Sequence, residues 1–206
     1  YEGMSLLIVP TDVDGFHVAK KLKKLGNRAS DTAEIVFDEV RIPVANRIGE
    51  EGRGFQYQMG QFQTERLIMS LGSLAAADQA IQMTIEYCRG RCTFGKPLID
   101  NQWIQFKLSE LLTDVECLRQ MCYHCARKLE AGVDFTREAS MAKLKAGRVA
   151  REVADTCLQF HGGMGYMEEY PLARYFRDAR LMSIGAGADE IMLKIIAKHE
   201  GMSSEM

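Results

Sequence analysis

Between Asn101 and Glu130 the apolar residues Ile104, Leu108, Leu111, Val115, Leu118, Cys122, Cys125 and Leu129 return at alternating steps of four and three. A β-strand cannot use that spacing, because its side chains alternate faces with a period of two. On a helix the same spacing draws one continuous stripe. A stripe of that kind is the seam between helices packed side by side, so this segment needs partner helices, and the chain supplies them. From Phe55 to Arg89 no proline interrupts, and Leu67, Leu71, Leu74, Ile81 and Ile85 fall at helical spacing. From Phe135 to Phe160 a third long helix is expected, with Ala139, Ala142, Ala146, Ala150 and Ala154 letting a neighbour approach closely. Gly132 closes the middle helix, and the run His161-Gly162-Gly163-Met164-Gly165 breaks the third. Two shorter helices follow, from Pro171, a favoured first helical residue, to Met182, and from Asp189, as its cap, to His199.

The first fifty residues read differently. Extended runs at 4–9, 16–19 and 33–41 are separated by turn chemistry at Pro10-Thr11-Asp12 and Asp14-Gly15. Ile35, Phe37 and Val40 give the last run a partly alternating face. Three short strands cannot close a sandwich or barrel alone, so the segment is expected to be part of a larger β domain whose earlier strands are missing. The boundary is expected after Gly52: residues 1–52 a β portion, residues 53–206 a helical bundle.

Composition narrows the partners. The chain has 206 residues, 26 Lys+Arg against 28 Asp+Glu, and a formal charge of −2. That balance argues against nucleic-acid binding through bulk positive charge and against a basic membrane-surface protein. No apolar run approaches the ~20 residues of a membrane span. The six cysteines are read as reduced, buried thiols rather than a disulfide framework. Cys122 and Cys125 bracket His124, yet no second Cys/His pair follows at finger-like spacing, so no metal site is expected. Reduced thiols point to an intracellular compartment.

Local motifs alone leave function open. The glycines at 162–165 fail the dinucleotide fingerprint, because Glu168 stands where the third glycine belongs and no strand precedes them. A second break, Gly185-Ala186-Gly187, precedes the last helix, and Glu65-Arg66 places adjacent opposite charges on the first. Each of these has an ordinary structural explanation.

Their order along the chain is more telling. Asn27 to Glu34, Phe37 to Pro43, Gly49 to Phe55, Thr64-Glu65-Arg66-Leu67, Arg91-Cys92-Thr93-Phe94-Gly95-Lys96-Pro97, Gln102, Gln159 to Tyr166 and Arg177-Asp178-Ala179-Arg180 form one series. Over essentially the whole chain it resembles the acyl-CoA dehydrogenase family, in the second half of the middle β domain and the complete C-terminal helical domain. The resemblance implies a mainly α chain: part of a middle β domain followed by an up-down helical bundle.

It also implies a chemistry, namely FAD-dependent α,β-dehydrogenation of an acyl-CoA thioester to the trans-2-enoyl product, with a carboxylate removing the α proton. Many members carry that carboxylate in the break before the last helix, where this chain has Ala186. The branch resembling isovaleryl-CoA and long-chain acyl-CoA dehydrogenases carries it on the first long helix, immediately before an arginine. The resemblance therefore implies Glu65 as the catalytic base, with Arg66, Phe62 and Gly187 on the substrate side. For the cofactor it implies Arg91, Thr93, Phe94, Asn101 and Gln102, then Gln159, Phe160, His161, Gly162 and Gly163, contacting the ADP half of FAD bound mainly by another subunit. Ala188 and Glu190 are implied as further cofactor contacts, with Ala188 and Asp189 replacing the usual Thr and Ser or Asn. A homodimer or homotetramer follows, with electron-transferring flavoprotein as acceptor. The compartment implied is the mitochondrial matrix in a eukaryote or the cytoplasm in a bacterium. The other readings are a silent helical oligomerisation module or pseudoenzyme, and an oxidase of the same fold.

Overall fold

The structure, a computed structural model, describes residues 2–202. It divides into two compact units, residues 1–62 and 63–206. The division falls inside the first long helix.

In the first unit β1 (Leu6–Leu7) pairs antiparallel with β4 (Arg47–Ile48). The ribbon of β2 (Phe16–Lys21) and β3 (Ala33–Phe37) is longer, with Phe16 opposite Phe37 and an irregularity between Val18 and Lys20. The expected run at 4–9 contributes only two strand residues, and the run at 33–41 stops at Phe37. Ile35 and Phe37 are about half exposed, and Val40 lies beyond the strand. A two-stranded ribbon has no second layer of its own against which to bury an apolar face.

Helix α1 (Gly54–Gly90) is followed by a tight hairpin of β5 (Cys92–Thr93) and β6 (Lys96–Pro97). Next come α2 (Gln102–Glu130), α3 (Thr136–His161), α4 (Pro171–Ala179) and α5 (Asp189–His199). Asn101 starts α2: its side-chain oxygen accepts from the Trp103 N–H at 3.0 Å, satisfying one of the otherwise unpaired first-turn donors. All seven stripe residues from Ile104 to Cys125 are buried. Leu129 is 43% exposed, because it sits in the last turn of α2, where the chain leaves the seam. The segment from 171 is helical only to Ala179 and tightens into a 3-10 turn over Arg180–Ser183. Asp189 is the first residue of α5 and not its cap. Ala188 holds the cap position without a side-chain hydrogen bond, and the Asp189 carboxylate is engaged elsewhere.

Side-chain bonds give the bundle its direction. Gln63 Nε2 donates to Thr136 Oγ1, Ser73 Oγ to the Ala146 carbonyl and Tyr87 O–H to the His161 carbonyl. The sequence separation in these pairs is 73, 73 and 74 residues. Constant separation over the full length means that α1 and α3 run parallel and in register. Helix α2 returns between them, joined to α3 by Lys128–Glu138 near the connection and Asp114–Lys145 farther from it, and to α1 by Asp78–Arg119. The alanines of α3 are all buried, Ala150 and Ala154 against Ala179 of α4. Among the described residues no helix is long and apolar enough to cross a membrane.

Candidate active site

Two groups of the residues singled out in the sequence come together in the second unit, far apart along α1. The first surrounds Glu65. Successive helical residues point about 100° apart, and here that rotation carries the chain from the edge of the surface into the interior: Glu65 is half-buried and Arg66 is 7% exposed. Burial pulls the Arg66 guanidinium below its ordinary value, while the charge of Glu65 opposes the shift. One turn on, Ser70 Oγ donates to the Arg66 carbonyl at 2.7 Å.

Facing this part of α1 is the break between α4 and α5. A β-carbon built on Gly185 would lie 3.6 Å from Met69 Cε, so the break abuts the turn of α1 that follows Glu65 and Arg66. Ala186, where the resemblance implies a carboxylate in many members, has φ +52°, a left-handed conformation that costs a non-glycine residue energy. Gly187 has φ +103°, and a β-carbon there would come within 2.7 Å of Met192 Cε. Lys143 of α3, fully buried, donates from its ammonium to the Gly187 carbonyl. Burial lowers the Lys143 ammonium from its ordinary value; Asp189 opposes this, Arg66 adds to it, and Glu190 opposes it. Asp189 turns inward, its Oδ2 3.4 Å from Arg151 Nη2 and its Oδ1 buried without a hydrogen-bond partner. Ser183 Oγ is likewise buried without one. Glu190 points outward and is exposed. Lys143 was not anticipated. The available signal was a lysine within the alanine face of α3, between Ala139 and Ala146 at spacings of four and three.

The second group gathers where α1 and α3 end and α2 begins. Tyr87 stacks on His161 at 4.1 Å, Trp103 meets Phe160 edge-on at 5.3 Å, and the Leu98 N–H bonds to the Arg91 carbonyl at 2.8 Å. These contacts bring Arg91, the hairpin, Asn101, Gln102 and Gln159 to one end of the bundle. Arg91, Asn101, Gln102 and Gln159 are exposed and Thr93 is half-buried. Phe94 has φ +51° at the hairpin tip, and its side chain is completely exposed. Gly162 and Gly163 are exposed, with nothing within 4 Å of a β-carbon built on either. Phe160 and His161 differ from their neighbours, being 6% and 4% exposed with both rings turned into the chain. What this end offers is a cation, a planar aromatic and open glycine backbone, a surface suited to a phosphate-bearing ligand with a ring system.

Phe62 is half-buried in the first unit. Cys122 and Cys125 face the core, where burial pushes their thiols up to about 11, and His124 is exposed. Among the described residues no three His, Cys, Asp or Glu side chains gather as metal ligands would.

The family model for the C-terminal domain of acyl-CoA dehydrogenases matches residues 52–201. The mitochondrial short/branched chain specific acyl-CoA dehydrogenase of Rattus norvegicus is 36% identical over 199 residues, 97% of this chain and 46% of that relative. The mitochondrial long-chain specific acyl-CoA dehydrogenase of the same species is 40% identical over 196 residues, 95% of this chain and 46% of the relative. Among solved structures, butyryl-CoA dehydrogenase from Megasphaera elsdenii aligns with a TM-score of 0.93 at 37% identity, covering 97% of this chain and 52% of that one. The chain spans about half the length of the curated relatives it matches.

Proposed function

Because the chain belongs to the acyl-CoA dehydrogenase family, whose members are FAD flavoproteins, we propose that it carries the base and the adenine-side contacts of an enzyme oxidising an acyl-CoA thioester to its trans-2-enoyl product. The observation that carries this reading is the juxtaposition at the break. Ala186 has no ionisable group, and the turn of α1 packed against Gly185 follows directly on a half-buried carboxylate, Glu65. A base moved from one wall of a pocket to the facing wall reaches the same α carbon from another anchor.

In this mechanism Glu65 takes the α proton as the α C–H bond breaks. FAD, when bound, supplies the acceptor for the hydride leaving the β carbon. Arg66 is buried beside Glu65, whose charge opposes the effect of burial on the guanidinium. Phe62 and Gly187 are assigned to the substrate side.

The second group fits the adenine half of the cofactor. Arg91 offers a donor fork to pyrophosphate, Gly162 and Gly163 allow backbone approach, and Thr93, Phe94, Asn101, Gln102 and Gln159 flank them. Phe160 and His161 act there as packed supports. Ala188 and Glu190, at the start of α5, belong to the base end. Glu65 and Arg91 lie about seven turns, roughly 39 Å, apart along α1, too far for one dinucleotide to touch both. That separation supports an oligomer in which each flavin is shared between chains, a homodimer or homotetramer. Electron-transferring flavoprotein is the acceptor in this proposal.

The test is Glu65→Gln in the full-length protein. The flavin should still be bound, and bleaching of its visible absorption by acyl-CoA should disappear. Bleaching at the wild-type rate would remove Glu65 as the base. Peroxide formation on turnover would mark an oxidase instead.

A further inference from the structure

We propose that Lys143 is a positioning residue for this site: its buried ammonium pins the Gly187 carbonyl and thereby holds the break between α4 and α5 against the turn of α1 that follows Glu65. The inference rests on the reading of Glu65 as base, and it adds a residue outside the set assigned above.

A fully buried ammonium is unfavourable unless hydrogen-bonded and paired. Position 143 does not call for lysine on packing grounds, since a methionine would fill similar space. What the ammonium supplies is a donor to backbone that regular structure leaves unused. The 3-10 turn ends with the Ile184 and Gly185 N–H groups both bonded to the Leu181 carbonyl at 2.8 Å, and α5 begins with the Ala188 carbonyl accepting from Ile191 and Met192. The Gly187 carbonyl falls between these two systems and takes the Lys143 ammonium. The same stretch contains Ala186 in the left-handed region, a conformation that persists only where its surroundings over-determine it.

The charge arrangement along α3 supports this role. Lys143, Gly147 and Arg151 succeed one another at steps of four and so share one ridge. A β-carbon on Gly147 would meet Ser183 Oγ at 2.7 Å, the Met182 carbonyl oxygen at 3.0 Å and Asp189 Oδ1 at 3.2 Å. The missing side chain is therefore what lets the Asp189 carboxylate settle against α3, bonded to Arg151. Lys143 also senses Arg66, the neighbour of Glu65. The ammonium thus ties α3 to the break, and the break abuts the Glu65 turn at Met69. Catalytic geometry is sensitive on this scale, since a displacement of about 1 Å can cost roughly a hundredfold in rate.

The experiment compares wild-type, Lys143→Met and Asp189→Asn full-length proteins by amide hydrogen exchange, with steady-state acyl-CoA oxidation measured alongside. In Lys143→Met, exchange over residues 184–190 should rise by about tenfold or more while the core amides of α2 keep their wild-type protection. The turnover number should fall about a hundredfold with KM within about threefold. Asp189→Asn, which alters no volume, should loosen the same amides and serves if Lys143→Met fails to fold. Unchanged exchange at 184–190, or an increase spread evenly over α1, α2 and α3, would show that Lys143 only stabilises the fold and would overturn the proposal. So would a loosened break with turnover unaffected while Glu65→Gln is inactive. If Glu65→Gln stays active, the base assignment falls, and the exchange data still decide whether Lys143 holds the break.

Discussion

The imidazole of His161 is 4% exposed, stacked on Tyr87 and approached edge-on by Tyr170, with Nδ1 2.9 Å from the Cys157 carbonyl oxygen. A carbonyl only accepts, so Nδ1 carries the proton of the neutral ring. Burial lowers the affinity of this ring for a second proton below its ordinary value of 6.5, the Cys157 carbonyl partly offsetting the shift. Between that lowered value and 6.5 the unfolded chain binds more protons than the folded one, so stability falls as pH falls through the window. Melting temperature should therefore decline on acidification below about pH 6.5, and His161→Phe, which keeps the stack and removes the titration, should flatten the decline. Equal slopes in the two proteins would show that His161 is not the group responsible. At this scale residue type was legible and environment was not. Gln159 to Gly163 stood out as one motif, yet the chain separates its exposed glutamine and glycines from its buried aromatic rings.

Among the elements, α2 was the most legible, because a single stripe at steps of three and four admits one conformation and one buried face. Its two extremes make a quantitative contrast. Leu118 is fully buried against α1 and α3, and Leu118→Ala should cost about 2–5 kcal/mol by leaving a cavity. Leu129 belongs to the same sequence pattern but is 43% exposed, and Leu129→Ala should fall within about 0.5 kcal/mol of wild type. Denaturant unfolding of the two variants checks both; equal losses would mean that the stripe continues into the last turn. The β5–β6 hairpin escaped the sequence reading because two-residue strands carry no periodicity. Its signal was Phe94-Gly95, two consecutive residues with positive φ between short extended pairs. The missing cap at Asp189 has a similar lesson, since an aspartate before a helix caps only if no better partner is near, and Arg151 is near.

At the scale of the whole molecule, the two groups of candidate residues lie at separate places on α1, so in this proposal a complete flavin site needs more than one copy of the chain. The isolated chain should accordingly bind FAD weakly or not at all. Titration followed by flavin fluorescence checks this, and tight stoichiometric binding would contradict it. The sequence by itself determined the helices, their apolar faces and the family, since each is written in local spacing or in the order of motifs along the chain. Tertiary structure alone decided the parallel register of α1 with α3, the inward turn of Asp189 and the burial of Lys143 beneath the break. These depend on distant segments meeting at one point. A charged residue gives no advance sign of which carbonyl will be waiting there.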